Sequence, residues 1–221
     1  FDISTHGHGG MGMMGGGRGM MGGGRRGMMG GGMGMMHSSD LPSGIEYSLF
    51  GVKLVKACTS SQSLPERLSN IPKLNVRDAA NNKDPRTIRL SMRHMSALLN
   101  GRSYKMDDIR DDEIIPVNSL QVIEFDNGYS GMNGMPMPHP MHLHGEQFQI
   151  IKRQVNPKSR EAYRTISGGL IWGGWKDTAL VMPGEKVTVL KPFNDFIGLF
   201  MYHCHNLEHE DMGMMRDFLI K

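Results

Sequence analysis

The run His203-Cys204-His205-Asn206-Leu207-Glu208-His209-Glu210-Asp211-Met212-Gly213-Met214-Met215 places a thiol, three imidazoles and three thioethers within 13 residues. Two His and one Cys in a trigonal plane, with a long axial Met, make a blue-copper ligand set. Cys204, His209 and Met214 supply three of these at C-x4-H-x4-M spacing, from one strand and the loop after it. The fourth ligand, another His, must come from elsewhere. His139, within Pro138-His139-Pro140-Met141-His142-Leu143-His144-Gly145, is the candidate.

Strand geometry accounts for the remaining imidazoles. Successive side chains of a strand point to opposite faces, so an extended Leu199–His205 turns Cys204 one way and His203 and His205 the other. A metal on Cys204 then stands back to back with a second metal site on the flanking histidines. His142 and His144 repeat the i, i+2 spacing and share a face by the same argument.

The pair H-P-M-H-L-H-G and H-C-H-x3-H-x4-M resembles the C-terminal copper motifs of the multicopper oxidases, a family of laccases, bilirubin oxidases and bacterial cuprous oxidases. The resemblance implies a type-1 copper on His139, Cys204, His209 and Met214. It implies a type-2 copper on His142 and a type-3 pair on His144, His203 and His205. It also places a proton-relay carboxylate at Glu210, with Glu208 and Asp211 as neighbouring alternatives. The family's trinuclear cluster takes eight His from four such motifs; this chain carries two, so an N-terminal cupredoxin domain, or another chain, is expected to supply the rest. Dioxygen and a reducing substrate, Cu(I) or a phenol, are the implied reactants, and periplasm or secretion the implied location. Met135, Met137 and Met141 crowd His139. Met137 matches a Met of the cuprous oxidases' substrate site, whereas Met135 stands where that site has an Asp.

Composition sets the outer bounds. The 221 residues include 30 Gly and 22 Met, and a formal net charge of +3 with mixed signs argues for neither nucleic acid nor a membrane surface. No apolar run is long enough to span a bilayer. The chain opens on Phe1, which reads as a fragment or processed product. With Cys204 committed to metal, Cys58 is left as a small hydrophobe.

Four segments follow. Residues 1–40 are a Gly/Met-rich low-complexity loop or tail; such a composition cannot offset its ordering entropy, so it reads as disordered. Its thioethers, with His6, His8 and His37, suit Cu(I). Residues 41–60 hold Ile45–Ala57, a strand bulged at Gly51 that resembles the closing strand of the family's middle domain. Residues 61–75 form a linker, and 76–221 the copper-binding domain. There, strands are expected at Thr87–Met92, Leu120–Phe125, Met141–Arg153, Trp175–Met182, Lys186–Leu190, Leu199–His205 and Arg216–Ile220, with a tight turn at Pro183-Gly184. Many short strands between Gly/Pro turns make an all-β sandwich or barrel, and the resemblance selects the cupredoxin-like Greek key.

Lesser expectations complete the reading. The acidic residues 107–114 form a solvated loop or helical turn, and Met215 turns into the core. His94 is structural or exposed. Trp172 and Trp175 pack near the metal-bearing sheet, and Asp177 orients a ligand His. A one-copper electron carrier, needing only His139, Cys204, His209 and Met214, has no use for the two H-x-H pairs, which the oxidase reading uses. A copper-sequestering protein working through the Met tract is told apart by copper stoichiometry and visible spectra, since thioether-bound Cu(I) is colourless.

Overall fold

The computed structural model describes residues 50–56, 63–93, 96–128 and 137–221. Among the described residues, ten strands form two five-stranded sheets packed face to face. The first contains β1 (Arg86–Arg93), β2 (Ser96–Leu99), β4 (Ser119–Asp126), β6 (Gln149–Val155) and β8 (Glu185–Phe193), in the order β2-β1-β4-β8-β6. The second contains β3 (Ile114–Ile115), β5 (His139–Leu143), β7 (Thr178–Val181), β9 (Gly198–Cys204) and β10 (Met215–Ile220), in the order β3-β10-β9-β5-β7. Pairings are antiparallel except β1 with β4 and β10 with β3. The all-β expectation holds.

Alternation builds the core. Ile88 and Leu90 of β1, Phe125 of β4, Val187 and Val189 of β8, Met141 and Leu143 of β5, and Tyr202 and Cys204 of β9 are buried in one cluster. At about 25 cal/mol per Å2 of apolar surface, side chains of this kind each contribute about 1.5–3 kcal/mol. Position in β5 therefore decides fate. His139, Met141 and Leu143 point into the sandwich, and Pro140 and His142 point away.

Several boundaries differ from expectation. The single strand expected over Met141–Arg153 is two, in different sheets: β5 ends at Leu143 and β6 begins at Gln149. The chain crosses at Gly145, whose φ of 82° is a left-handed conformation that suits glycine. Lys191, buried, clamps this crossing by donating to the Glu146 carbonyl, while the Glu146 carboxylate accepts from Asn194 N at 2.6 Å. Of Trp175–Met182 only Thr178–Val181 is strand. Two short helices, α1 (Arg160–Ser167) and α2 (Leu207–Asp211), were unforeseen. At eight and five residues, both are too short for a helical period to stand out from a polar turn in the sequence.

Residues 50–56 form no strand, and Phe50, Val52, Leu54 and Val55 are exposed. Such a segment becomes a strand only against another, and no pairing of 50–56 exists among the described residues. Residues 45–49, the tract 1–40, Cys58, His94 and Met135 lie outside the described residues.

The acidic run 107–114 is not uniformly solvated. Glu113, at the end of a 3-10 turn (Asp111–Glu113), is 4 % exposed and faces Arg216, with Nε–Oε1 2.7 Å and Nη2–Oε2 2.6 Å. It also accepts from Tyr202 OH at 3.0 Å and Arg110 N at 2.9 Å. Asp108 pairs with Arg102 and Arg216.

Candidate metal centre

β5 and β9 lie side by side with Met141 opposite Cys204, His142 opposite His203 and Leu143 opposite Tyr202. This register decides the site. It puts His139 and Cys204 on the inner face and His142 and His203 on the outer face of one pair of strands. The loop after β9 folds back through α2 and returns His209 to the inner side.

On the inner face, Cys204 Sγ is 3.6 Å from His139 Nδ1 and 3.5 Å from His209 Nδ1, and the two imidazole rings lie 4.9 Å apart. All three residues are buried. Met214, fully buried, closes the loop: its N–H donates to the His209 carbonyl at 2.9 Å and its carbonyl accepts from Cys204 N at 3.1 Å. Asn206 donates from Nδ2 to the Pro138 carbonyl at 3.0 Å and lies 3.3 Å from His209 Nδ1. It ties the two ligand-bearing segments together, and the sequence carried no signal for it.

On the outer face, His142 lies 4.9–5.4 Å, ring centre to ring centre, from His144, His203 and His205, and His203 lies 5.2 Å from His144 and 4.8 Å from His205. His144 Nε2 and His203 Nε2 approach to 3.1 Å, and one nitrogen from each of His142, His144 and His203 falls within 4.8 Å of the others. His205 joins through its ring contacts with His142 and His203 but stands outside that closest trio. The four imidazoles and the thiol are thus gathered as the alternation argument requires.

The supporting contacts refine three expectations. Asp177 does orient a histidine, through its main chain: His142 Nδ1 bonds its carbonyl at 2.8 Å, with Thr178 Oγ1 at 3.1 Å. Met141 is fully buried beneath Cys204, so it lines no surface around His139. Met215 pairs with His203 and is half-buried on the outer side, not in the core. Strand alternation after the inward Met214 requires this. Glu210 Oε2 stands 3.5 Å from His203 Nδ1. Glu208 and Asp211 are exposed. Trp172 is exposed under the Arg153 guanidinium, 5.9 Å from the ring centre, and Trp175 is half-buried.

Electrostatics prepare the inner site for a cation. Burial, with His209 adjoining, pushes His139 down to about 3, so its imidazole is neutral and available as a donor. Burial likewise lowers His142 and His144. Burial pushes the Cys204 thiol up to about 11, so its proton leaves only to a strongly attracting metal. Two imidazoles, a thiol and a buried thioether fit copper, whose affinity for soft sulfur with nitrogen is pronounced.

Residues 72–221 match the family model described as Multicopper oxidase. The chain belongs to the multicopper oxidase family. It is 33% identical over 150 residues to a multicopper oxidase of Staphylococcus aureus, a match covering 66% of this chain and 30% of that protein. Among solved structures, a multicopper oxidase from Pediococcus acidilactici superposes with TM-score 0.56 at 34% identity, covering 73% of this chain and 30% of that one. A Campylobacter jejuni enzyme described as a metallo-oxidase superposes with TM-score 0.54 at 26% identity, covering 73% and 34%. The sandwich is therefore cupredoxin-like, the family's cofactor is copper, and its members are oxidoreductases. This multicopper oxidase chain spans about a third of the length of the relatives it matches.

Proposed function

We propose that this chain is the C-terminal part of an enzyme that takes single electrons from a reductant at a type-1 copper and delivers them to dioxygen at a shared trinuclear cluster. His139, Cys204, His209 and Met214 would hold the first copper; His142, His144, His203 and His205 would contribute half of the cluster's ligands. Copper in these places supplies one-electron exchange on the inner side and reduction of dioxygen to water on the outer. The observation that carries the reading is the back-to-back placement, with Cys204 bonded in sequence between His203 and His205 while its side chain faces the opposite way.

The chain's own residues do the rest. Burial of Cys204, His139 and His209 excludes water from the thiolate, which limits hydrolytic and oxidative side reactions. Two peptide units join the thiolate residue to the outer imidazoles, and His203 Nδ1 lies 3.2 Å from the Cys204 carbonyl, so the covalent route is short. Glu210 holds or releases a proton at Oε2, beside His203, where oxygen reduction consumes protons. The N-terminal part of the whole protein supplies the other imidazoles.

The reducing substrate is a metal ion or a phenol. Met137, two residues before His139, and the thioether-rich 1–40 tract support a cuprous substrate. By family resemblance alone, the protein works in the periplasm or outside the cell, which cell fractionation tests. The ligand assignment is tested by adding Cu(II) to the chain and to Cys204→Ser. Wild type should develop an intense thiolate-to-copper absorption and the variant none, with circular dichroism unchanged. The same absorption in both would remove Cys204 from the site.

A further inference from the structure

Along β8 the alternate residues Val187, Val189, Lys191 and Phe193 are all buried, and the three apolar ones belong to the core between the sheets. Strand alternation assigns all four to one face, so a lysine stands in an apolar row. Lys191 is 1 % exposed, and its Nζ lies 5.1 Å from the Phe193 ring centre. Lysine is almost never buried this deeply without a partner, because its ammonium must leave water. Burial pulls it down to about 8, with the Glu146 carboxylate partly countering. An unbranched apolar side chain would fill the same row without that cost, so core packing alone gives no reason for the charge.

The ammonium reaches the turn that leaves β5, in the opposite sheet, where it donates to the Glu146 carbonyl. Asn194 holds the Glu146 carboxylate, donating from N at 2.6 Å and from Nδ2 at 3.2 Å. β8 and the residue after it thus grip Glu146 at two points. Glu146 lies two residues past His144, and His144 lies one residue past the end of β5. On its other side His144 is tied to β9, its N–H donating to the Met201 carbonyl at 3.0 Å. The imidazole itself is exposed, yet its Nε2 stands 3.1 Å from His203 Nε2. An exposed ring beyond the end of its strand keeps such a place only when the backbone is fixed on both sides. β9 fixes one side and Lys191 the other.

We infer that Lys191 is a positioning residue for the outer histidine group: by fixing the Glu146 carbonyl from the opposite sheet, it sets where the His144 imidazole stands against His142 and His203. The inference rests on the reading of His144 as a metal donor. The charge of Lys191 works in the opposite sense. It is felt at His144, and a buried cation repels an incoming metal ion. A lysine that serves the site despite that repulsion serves it through geometry, and the two effects have opposite signs in a binding experiment.

The full chain is compared with Lys191→Met, which keeps the length and removes donor and charge, and with Lys191→Arg, which keeps both. Without metal, Lys191→Met should exchange the His144 N–H about tenfold faster, the worth of one hydrogen bond. It should also lose the nuclear Overhauser contact between the His144 and His203 rings while keeping that between His142 and His203. Zn(II), redox-inert and fond of imidazole, is the metal probe. In wild type the assigned imidazole signals of His142, His144 and His203 should shift together. In Lys191→Met the His144 response should need about tenfold more Zn(II), as when a metal site loses an outer-shell partner. Lys191→Arg should restore both readouts. Lys191→Gln, polar but shorter, should behave as Lys191→Met does and covers the case where an apolar side chain there fails to fold. An unchanged Cu(II)–thiolate absorption in these variants shows an intact sandwich and Cys204 centre. Tighter Zn(II) binding in Lys191→Met would assign the whole effect to charge, and wild-type exchange and ring contact at His144 would leave the clamp without effect; either overturns the inference. A Zn(II) response missing even from wild type would refute the metal reading of the outer face, and the metal-free exchange would still decide the clamp.

Discussion

Glu113 shows how much one side chain can carry in this domain. Burial alone would raise its carboxyl, but hydrogen bonds from Arg216, the Arg110 N–H and Tyr202, with the charge of Arg216, hold it below the ordinary 4.5. Its ionised form therefore stabilises the fold above the ordinary carboxylate range, and that contribution is lost as pH falls through the depressed value. Glu113→Gln should cost about 3 kcal/mol, because buried Arg216 loses its close, doubly bonded countercharge and keeps only the more exposed Asp108 carboxylate at 3.5 Å. Thermal melts across pH 3–7 check this on the ~1-unit scale of ordinary protein pKa scatter. Wild type should lose stability toward acid more steeply than the variant, and parallel curves would rule out a titrating Glu113. Glu210 is a residue of a different kind, since its contact is with a cluster imidazole and not with a counter-ion. In the complete enzyme, Glu210→Gln should slow dioxygen reduction while leaving reduction of the type-1 copper nearly unchanged. Equal slowing of both steps in stopped-flow traces would reduce Glu210 to a support of the ligand loop.

At the scale of elements, β9, α2 and the turn into β10 act as one unit carrying the candidate donors. β9 delivers Cys204, α2 carries His209, and the turn at Gly213 returns Met214 beneath both. The turn depends on Gly213. Its φ is +89°, and an added Cβ would land on Ser103 Oγ and come to 3.1 Å from Tyr104 N. The serine can rotate away, but the backbone nitrogen is committed to the Gly213 carbonyl at 2.9 Å. Gly213→Ala should therefore cost more than about 1 kcal/mol. Because Met214 follows directly, it should also shift the energy of the Cu(II)–thiolate absorption. A variant with wild-type melting temperature and spectrum would show that the turn has slack the structure does not suggest. Gly145→Ala is a weaker perturbation of the same sort, since its Cβ meets only the Phe200 ring, at 3.2 Å.

At the scale of the molecule, the proposed function makes the outer face half of a shared site. Four imidazoles crowd one side of β5 and β9, and His205 is exposed there. The apolar side chains of residues 50–55 are likewise exposed. Both are surfaces that a longer chain would cover, in keeping with relatives about three times the length of the matched part. The isolated 221-residue chain should therefore bind the type-1 copper but not sustain reduction of dioxygen to water. Adding the N-terminal part, fused or as a separate chain, should restore turnover in an oxygen electrode. Sustained oxygen uptake by the pure chain, at a rate proportional to its concentration, would show that four histidines suffice.

The candidate donors were legible in the sequence because their spacing is chemistry written in one dimension. C-x4-H-x4-M and the two H-x-H pairs need only strand alternation to separate inner from outer donors, and alternation is a local property of the backbone. The all-β class was legible for the same reason. What the tertiary structure alone decided depends on partners distant in the chain. Gly145 inside Met141–Arg153 signals a bulge or turn, but no local pattern tells that it carries the chain from one sheet to the other. An acidic run looks solvated until Arg216 and Tyr202, some 90–100 positions onward, turn Glu113 inward. Asp177 holds His142 with a carbonyl that every residue type possesses, so its identity could not announce the contact. Met215 faces the histidines because the register of β10 on β9 says so. Such registers are set by the burial of whole faces, a property of the packed sandwich and not of any single strand.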